Sequence, residues 1–239
     1  MKQQRIDKIL SSQNIASRSE IKSMIKQGRI TADGNTVKRP EEKYDPEISI
    51  FYVDGKEVSF KKHLYIMMNK PSGIISANND RRVKTVIDLL PPELKREGLF
   101  PAGRLDKDTE GFLLITDDGE FAHKMLSPKS HIYKLYRAET DKILTDTDIK
   151  KFKNGIKYGE LEFLPADMKI IGEKTALVEI CEGKFHQVKK MFHSIGANVV
   201  HLERLRIGGV FLDKNLKIGE VRELTDKEKT DILSRFKEL

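Results

Sequence analysis

The chain of 239 residues contains a single cysteine, Cys181. It therefore cannot close an intramolecular disulfide, and no multi-cysteine zinc site is available to it. None of the six histidines falls in a His-Glu-x-x-His spacing, so no metal centre is expected. Long apolar runs are also missing. The longest, such as "FLLIT" and "ANVVHL", fall far short of the roughly 20 residues that span a bilayer. The first residues, "MKQQRIDKILSSQ", lack the apolar core of a signal peptide. A cytoplasmic protein with no membrane partner is expected.

What the chain does have is an uneven charge. Its net charge is +7, and residues 1–39 alone carry nine Lys/Arg against three Asp/Glu. Nearly all the positive excess thus sits in the first sixth of the chain, the pattern of an electrostatic handle for nucleic acid. Ile6, Ile9 and Leu10 have helical spacing. Ser17 and Glu20 form a capping box for a second helix with Ile21, Met24 and Ile25 on its apolar side and Gly28 as its stop. Arg18, Lys22 and Lys26, followed by Arg29, occupy the other side. "RITADGNTV" reads as strand, Asp-Gly turn, strand, and "ISIFYVDGKEVSF" repeats the device. The unit is helix–helix–hairpin, with its boundary expected near residue 61.

From residue 64 strands and helices alternate without a regular βαβ period. "LYIMMNK" and "GFLLIT" read as buried strands, "IYKLYRAET" and "TALVEICEG" as further strands. Helices are expected at "TVIDLLPPEL", at "GEFAHKMLSP" and over 146–155. A further helix is expected at "KFHQVKKMFHSIG", with Phe185, Val188, Met191, Phe192 and Ile195 on its apolar side. The last is expected over the C-terminal "LTDKEKTDILSRFKEL", capped by Thr225 and Glu228. The fold class is α+β. A small N-terminal helix–helix–hairpin domain (1–61) precedes a larger domain (62–239) with a mixed, mainly antiparallel sheet and flanking helices.

"GRLDKDTEGFLLITDDG", residues 103–119, holds five carboxylates. Asp117 and Asp118 suit the turn after the apolar strand. Asp106, Asp108 and Glu110 lie in a glycine-bounded loop before that strand, where a catalytic group is commonly positioned. The residue types alone leave open which of the three, if any, carries chemistry.

The pattern Gly-Arg-Leu-Asp-x-x-Thr-x-Gly, followed by a strand and Thr-Asp-Asp-Gly, resembles the signature of RNA pseudouridine synthases. "NKPSG" at 69–73, "KLY" at 134–136, "EGKFHQVKKMF" at 182–192, "RIGGVFLD" and "GEVRELT" agree with it in order. Together they resemble the RsuA family, which acts on ribosomal RNA, and residues 5–37 resemble the S-four-like RNA-binding domain that precedes it. The resemblance implies Asp106 as the essential aspartate and Tyr136 as the residue that stacks on the uracil and serves as base for a ring proton. It implies Lys189 as partner of Asp106, Arg104 as the residue displacing or replacing the base, and Ile180 as pocket lining. It implies that Arg18, Lys22, Lys26 and Arg29 contact RNA phosphates. "HQVKKMF" is most similar to the small-subunit (16S) branch, so 16S rRNA or a small-subunit assembly intermediate is the expected partner. Modification of large-subunit rRNA and a non-catalytic ribosome-assembly role are the competing readings. Asp108 and Glu110 are left as loop-surface charges, and His186 and His193 as satisfied or solvent-facing histidines.

Isomerising uridine breaks the bond from ribose to ring nitrogen and rejoins the base through ring carbon 5. It transfers no external group, so no cofactor is expected, and nothing in the sequence calls for more than a monomer.

Overall fold

The computed structural model of the protein describes residues 3–239 and divides into two compact units. The first comprises Met1–Leu64 with Pro91–Gly98; the second comprises Tyr65–Leu90 with Leu99–Leu239. The segment Pro91–Gly98 thus joins the first unit across a sequence gap that a linear division near residue 61 does not contain. Arg96 ties it there, donating to the Lys61 and Lys62 carbonyls at 2.8 and 2.9 Å.

The first unit is built on α1 (Ile6–Ser12) and α2 (Arg18–Lys26). Strand β1 (Gln4–Arg5) pairs with β4 (Lys43–Tyr44). Strands β2 (Ile30–Ala32), β3 (Asn35–Thr36), β5 (Phe51–Val53) and β6 (Lys56–Val58) form an antiparallel sheet of order β3-β2-β5-β6. The Ser17–Glu20 capping box closes both ways: Ser17 N–H donates to the Glu20 carboxylate at 2.8 Å, and Glu20 N–H to the Ser17 hydroxyl at 3.3 Å. Both hairpins turn on Asp-Gly pairs with positive φ at each residue, Asp33 and Gly34 at 49° and 78°, Asp54 and Gly55 at 51° and 73°. This is the turn whose twist matches a right-handed hairpin. Ile6, Ile9, Leu10, Ile21, Met24, Ile25, Ile30 and Phe51 fill the core.

The second unit holds a nine-stranded sheet formed by β7 (Tyr65–Lys70), β8 (Phe100–Ala102), β9 (Glu110–Thr116), β10 (Lys134–Thr140), β13 (Asp167–Gly172), β14 (Thr175–Ile180), β15 (Val199–Ile207), β16 (Val210–Phe211) and β17 (Val221–Glu223). A separate hairpin, β11 (Ile156–Tyr158) with β12 (Leu161–Phe163), stands outside it. The main path runs β13-β14-β10-β15-β9-β7-β17, with β16 beside β15 and β8 beside β9. Every pairing is antiparallel except β9 with β15. The continuous apolar run of β9 is explained by burial from Gly111 to Thr116 on both faces of the sheet. The helices are α3 (Gly119–Leu126), α4 (Asp146–Lys153), α5 (Gln187–Ser194) and α6 (Asp226–Asp231). No helix among the described residues is long and apolar enough to cross a membrane.

Three expected helices change. "TVIDLLPPEL" forms turns and one 3-10 turn, Pro92–Leu94, because the paired prolines remove the donors an α-helix needs. The C-terminal helix stops at Asp231, although its Thr225–Glu228 cap forms as expected. Beyond it the tail runs to buried Glu179, whose carboxylate accepts the Glu238 and Leu239 N–H groups at 3.1 Å and is paired with fully buried Arg206. Finally, α5 begins at Gln187, so Phe185 lies outside it and is 72% exposed rather than part of its apolar side.

Candidate active site

The loop between β8 and β9 carries Asp106. It is pinned from both sides. The buried Ser76 hydroxyl accepts from Leu105 N–H at 3.1 Å and donates to the Leu105 carbonyl at 2.9 Å. Lys70, fully buried at the end of β7, donates from Nζ to the Thr109, Pro71 and Lys107 carbonyls at 2.8, 3.0 and 3.2 Å. Gly73 N–H reaches the same Lys107 carbonyl at 2.8 Å. The "NKPSG" stretch therefore serves as the brace of the carboxylate loop. Burial pushes the Lys70 ammonium down to about 8, and the nearby carboxylates Asp108, Glu110 and Asp106 pull it back up.

The glycines at either end of the loop are required by different contacts. Gly103 has φ +81°, and a Cβ there would lie 2.9 Å from the Leu126 side chain. Gly111 has φ +94°, and a Cβ there would stand 2.4 Å from the Arg204 carbonyl oxygen. That close approach is the β9–β15 parallel pairing, which sets Gly111 opposite Arg204. Arg204 in turn stands opposite Tyr136, and Tyr136 opposite Val178. Of this row, Arg204 and Tyr136 reach a cavity of about 590 Å³, lined also by Arg104, Asp106, Lys134, Ile180 and Lys189.

Asp106 is one-quarter exposed, and its two oxygens face Lys189 Nζ at 3.2 Å and His186 Nε2 at 3.4 Å. Lys189 comes from the first turn of α5, eighty-three residues along the chain. Its ammonium is shared: it also donates to Asp108 at 2.5 Å. The expectation that Asp108 is only a surface charge is corrected here. Its carboxyl, though largely solvated, is held below the usual carboxylate range by the Lys189 hydrogen bond. Glu110 is likewise no free surface charge, since it meets His201 at 2.9 Å. Asp118 is the N-cap of α3, accepting from Phe121 N–H at 2.9 Å, and it also accepts the Tyr65 hydroxyl at 2.6 Å. His186 is not turned to solvent alone but faces Asp106.

Tyr136 is buried, and its hydroxyl accepts from Arg204 Nη1 at 3.3 Å. Arg204, also buried, donates further to the Phe112 and Gly103 carbonyls at 2.7 and 2.8 Å. It therefore links the tyrosine to both ends of the Asp106 loop. Ile180 is buried in the wall, and Arg104 is exposed at the rim. Lys134, two residues before Tyr136 on β10, is buried, donates to the Ile132 carbonyl at 3.3 Å and is pushed down to about 8 by burial and then by the Arg204 charge. No group of three His, Cys, Asp or Glu side chains converges as metal ligands would among the described residues.

In the first unit Arg18, Lys22 and Lys26 project from the exposed side of α2, one turn apart, and none forms an ion pair among the described residues. Arg29 differs. Its Nε and Nη2 both donate to the Asp54 carboxylate at 2.6 Å, so its charge is partly neutralised within the unit.

With this geometry in place, comparison with known proteins is decisive. Residues 64–194 match the RNA pseudouridylate synthase family, and residues 4–47 match the S4 domain. The chain belongs to the RNA pseudouridine synthases. It is 44% identical to the uncharacterized RNA pseudouridine synthase YtzG of Bacillus subtilis, over 94% of this chain and 96% of that one. Ribosomal small subunit pseudouridine synthase A of Vibrio cholerae is 39% identical over 95% and 99% of the two chains, and that of Escherichia coli 36% over 94% and 97%. A solved pseudouridylate synthase superposes with a TM-score of 0.67 at 32% identity, covering 95% of this chain and 99% of the other. The synthase therefore combines an S4 RNA-binding region with a catalytic α+β unit.

Sequence reasoning assigns no role to two residues of the synthase's site: Arg204, and Lys70 within the "NKPSG" element; only the strand register buries them beside the loop. His186, read as satisfied or solvent-facing, has a left-handed backbone, φ 53°, and its ring faces Asp106.

Proposed function

We propose that this synthase isomerises a uridine of small-subunit ribosomal RNA, with Asp106 as its reacting carboxylate. The observation that carries the reading is Asp106 held against Lys189 in the same cavity as Tyr136 and Ile180. The Lys189 ammonium lies 3.2 Å from the carboxylate and sets a positive charge beside the reacting group. The uridine leaves its stack to enter, and Tyr136 and Ile180 retain the freed base by packing on it. The bond from ribose to ring nitrogen 1 breaks and the bond to ring carbon 5 forms. The proton lost from carbon 5 is balanced by one gained at nitrogen 1, so the product is an isomer. Arg204 donates to the Tyr136 oxygen and fixes its position in the cavity, where Tyr136 takes the ring proton. Arg104 at the rim occupies the space the base leaves, and Arg18, Lys22 and Lys26 hold phosphates, with Arg29 joining them where a phosphate competes with Asp54 for its guanidinium.

The choice of small-subunit rRNA rests on the relatives named as ribosomal small subunit synthases. Two measurements test the reading. Pseudouridine maps of both rRNAs from a strain lacking the protein should lose one site in 16S rRNA; loss of a 23S site instead would transfer the substrate. Asp106→Asn should abolish pseudouridine formation, a fall of at least about 10³-fold by analogy with removal of other essential groups, while RNA binding persists. Turnover like that of the wild type would sink the role given to Asp106.

A further inference from the structure

Phe185 is the most exposed large apolar side chain among the described residues, at 72%. A single exposed hydrophobe is ordinary, but this one is built into the cavity mouth. Its chain neighbours Lys184 and His186 both line the cavity. The loop that carries it is braced from within. Buried Glu182 accepts from Leu164 N–H and Gln187 Nε2, both at 2.8 Å, and Gln187 Oε1 accepts from Lys184 N–H at 3.1 Å. His186 adopts the left-handed conformation, φ 53°. These contacts hold the loop while the Phe185 ring projects outward. The ring is stacked on His186, centroids 3.7 Å apart and planes 23° apart, and His186 is the residue that faces Asp106. Lys190 extends over the Phe185 ring at 4.9 Å and has no carboxylate partner among the described residues.

An exposed aromatic face, a stacked neighbour and a displaceable cation, set at the entrance of a pocket for a flipped base, match how proteins hold single-stranded nucleic acid. Bases stack on rings, and flexible cations take the adjoining phosphates. We propose that Phe185 is a stacking platform for a nucleobase adjacent to the uridine that enters the pocket, with Lys190 moving from the ring to that nucleotide's phosphate. The proposal rests on the RNA-modifying reading above and adds a second base-binding position to it. Stacking is tolerant of base identity, so the platform holds the neighbouring nucleotide in place rather than reading its sequence.

The chain contains no tryptophan, so Phe185→Trp installs a single tryptophan, excited at wavelengths its tyrosines do not absorb, in place of the ring. Ile171→Trp, half exposed on β13 and outside the cavity lining, serves as control. Titration with unmodified 16S and 23S rRNA transcripts should quench the Phe185→Trp emission and leave Ile171→Trp nearly unchanged. In turnover on the same transcripts, Phe185→Ala and Phe185→Leu should raise KM roughly 5- to 150-fold, the range for losing one stacked base, with kcat within a few-fold. Phe185→Tyr should restore KM.

Unchanged KM in Phe185→Ala, or full rescue by leucine, would overturn the platform. So would a fall in kcat alone, which would make the ring a support for His186. The fluorescence readout needs no turnover. A wild-type protein inactive on both transcripts would count against the proposed reaction, while absence of Phe185→Trp quenching on bound RNA would count against the platform.

Discussion

Lys134 and Lys70 are unusual at the level of single residues, because both ammonium groups are buried at the site without a carboxylate in hydrogen-bond contact. Each is pushed down to about 8 in the folded protein, chiefly by burial. Below pH 8 each is protonated both folded and unfolded, so the cost of burying the charge is present in full. Between pH 8 and about 10.5 the unfolded chain binds more protons than the folded one, and stability rises with pH by up to about 1.4 kcal/mol per unit for each lysine. Lys134→Met removes one of these two contributions. In urea unfolding at pH 7 to 10, the wild type should gain on Lys134→Met as the pH rises above 8; a stability difference independent of pH would contradict the buried-cation assignment. At the same scale, Asp106 owes its setting to Lys189, which two carboxylates share, so the acid-rich loop is partly neutralised by one cation from α5.

The central element is the β9–β15 pairing. It is the one parallel contact in the large sheet, and it brings Gly111 onto the Arg204 backbone. The absence of a side chain at residue 111 permits the approach, and the approach delivers the Arg204 guanidinium to Tyr136 and to the Gly103 carbonyl. Gly111→Ala adds an atom 2.4 Å from a carbonyl oxygen at a φ that favours glycine. It should destabilise the protein by about 3 kcal/mol or more, within the range for strain and overpacking at a buried position. Chemical denaturation measures this directly, and a change below about 1 kcal/mol would mean that the strands separate at little cost. Elements with local causes were legible beforehand: the capping boxes at Ser17 and Thr225 and the two Asp-Gly hairpins follow from side chains reaching three or fewer residues along the chain. The expected helices at "TVIDLLPPEL" and after Asp231 failed because prolines in one case, and the distant Glu179 acceptor in the other, outweighed a local apolar spacing.

Over the whole molecule, the positive excess is concentrated in residues 1–39, and α2 presents Arg18, Lys22 and Lys26 on an exposed side. Each phosphate contact contributes about 0.7 to the slope of log affinity against log salt for single-stranded nucleic acid. Reversing Lys22 and Lys26 to glutamate should therefore weaken RNA binding and flatten that slope by at least about 1.4, as filter binding at several salt concentrations would show. Arg29 should contribute less than either lysine because Asp54 already holds it.

The sequence by itself determined the α+β class, the basic N-terminal unit and the family, because these depend on composition, local spacing and motifs read in order. It also singled out Asp106, Tyr136 and Lys189 by their place in those motifs. Only the tertiary structure decided that Lys189 is shared with Asp108, that Arg204 and Lys70 hold the Asp106 loop, and that Phe185 faces outward beside His186. Each of these depends on which strand lies next to which, or on a backbone angle at one residue. Contacts between residues eighty or a hundred positions apart leave no local period for a sequence pattern to record.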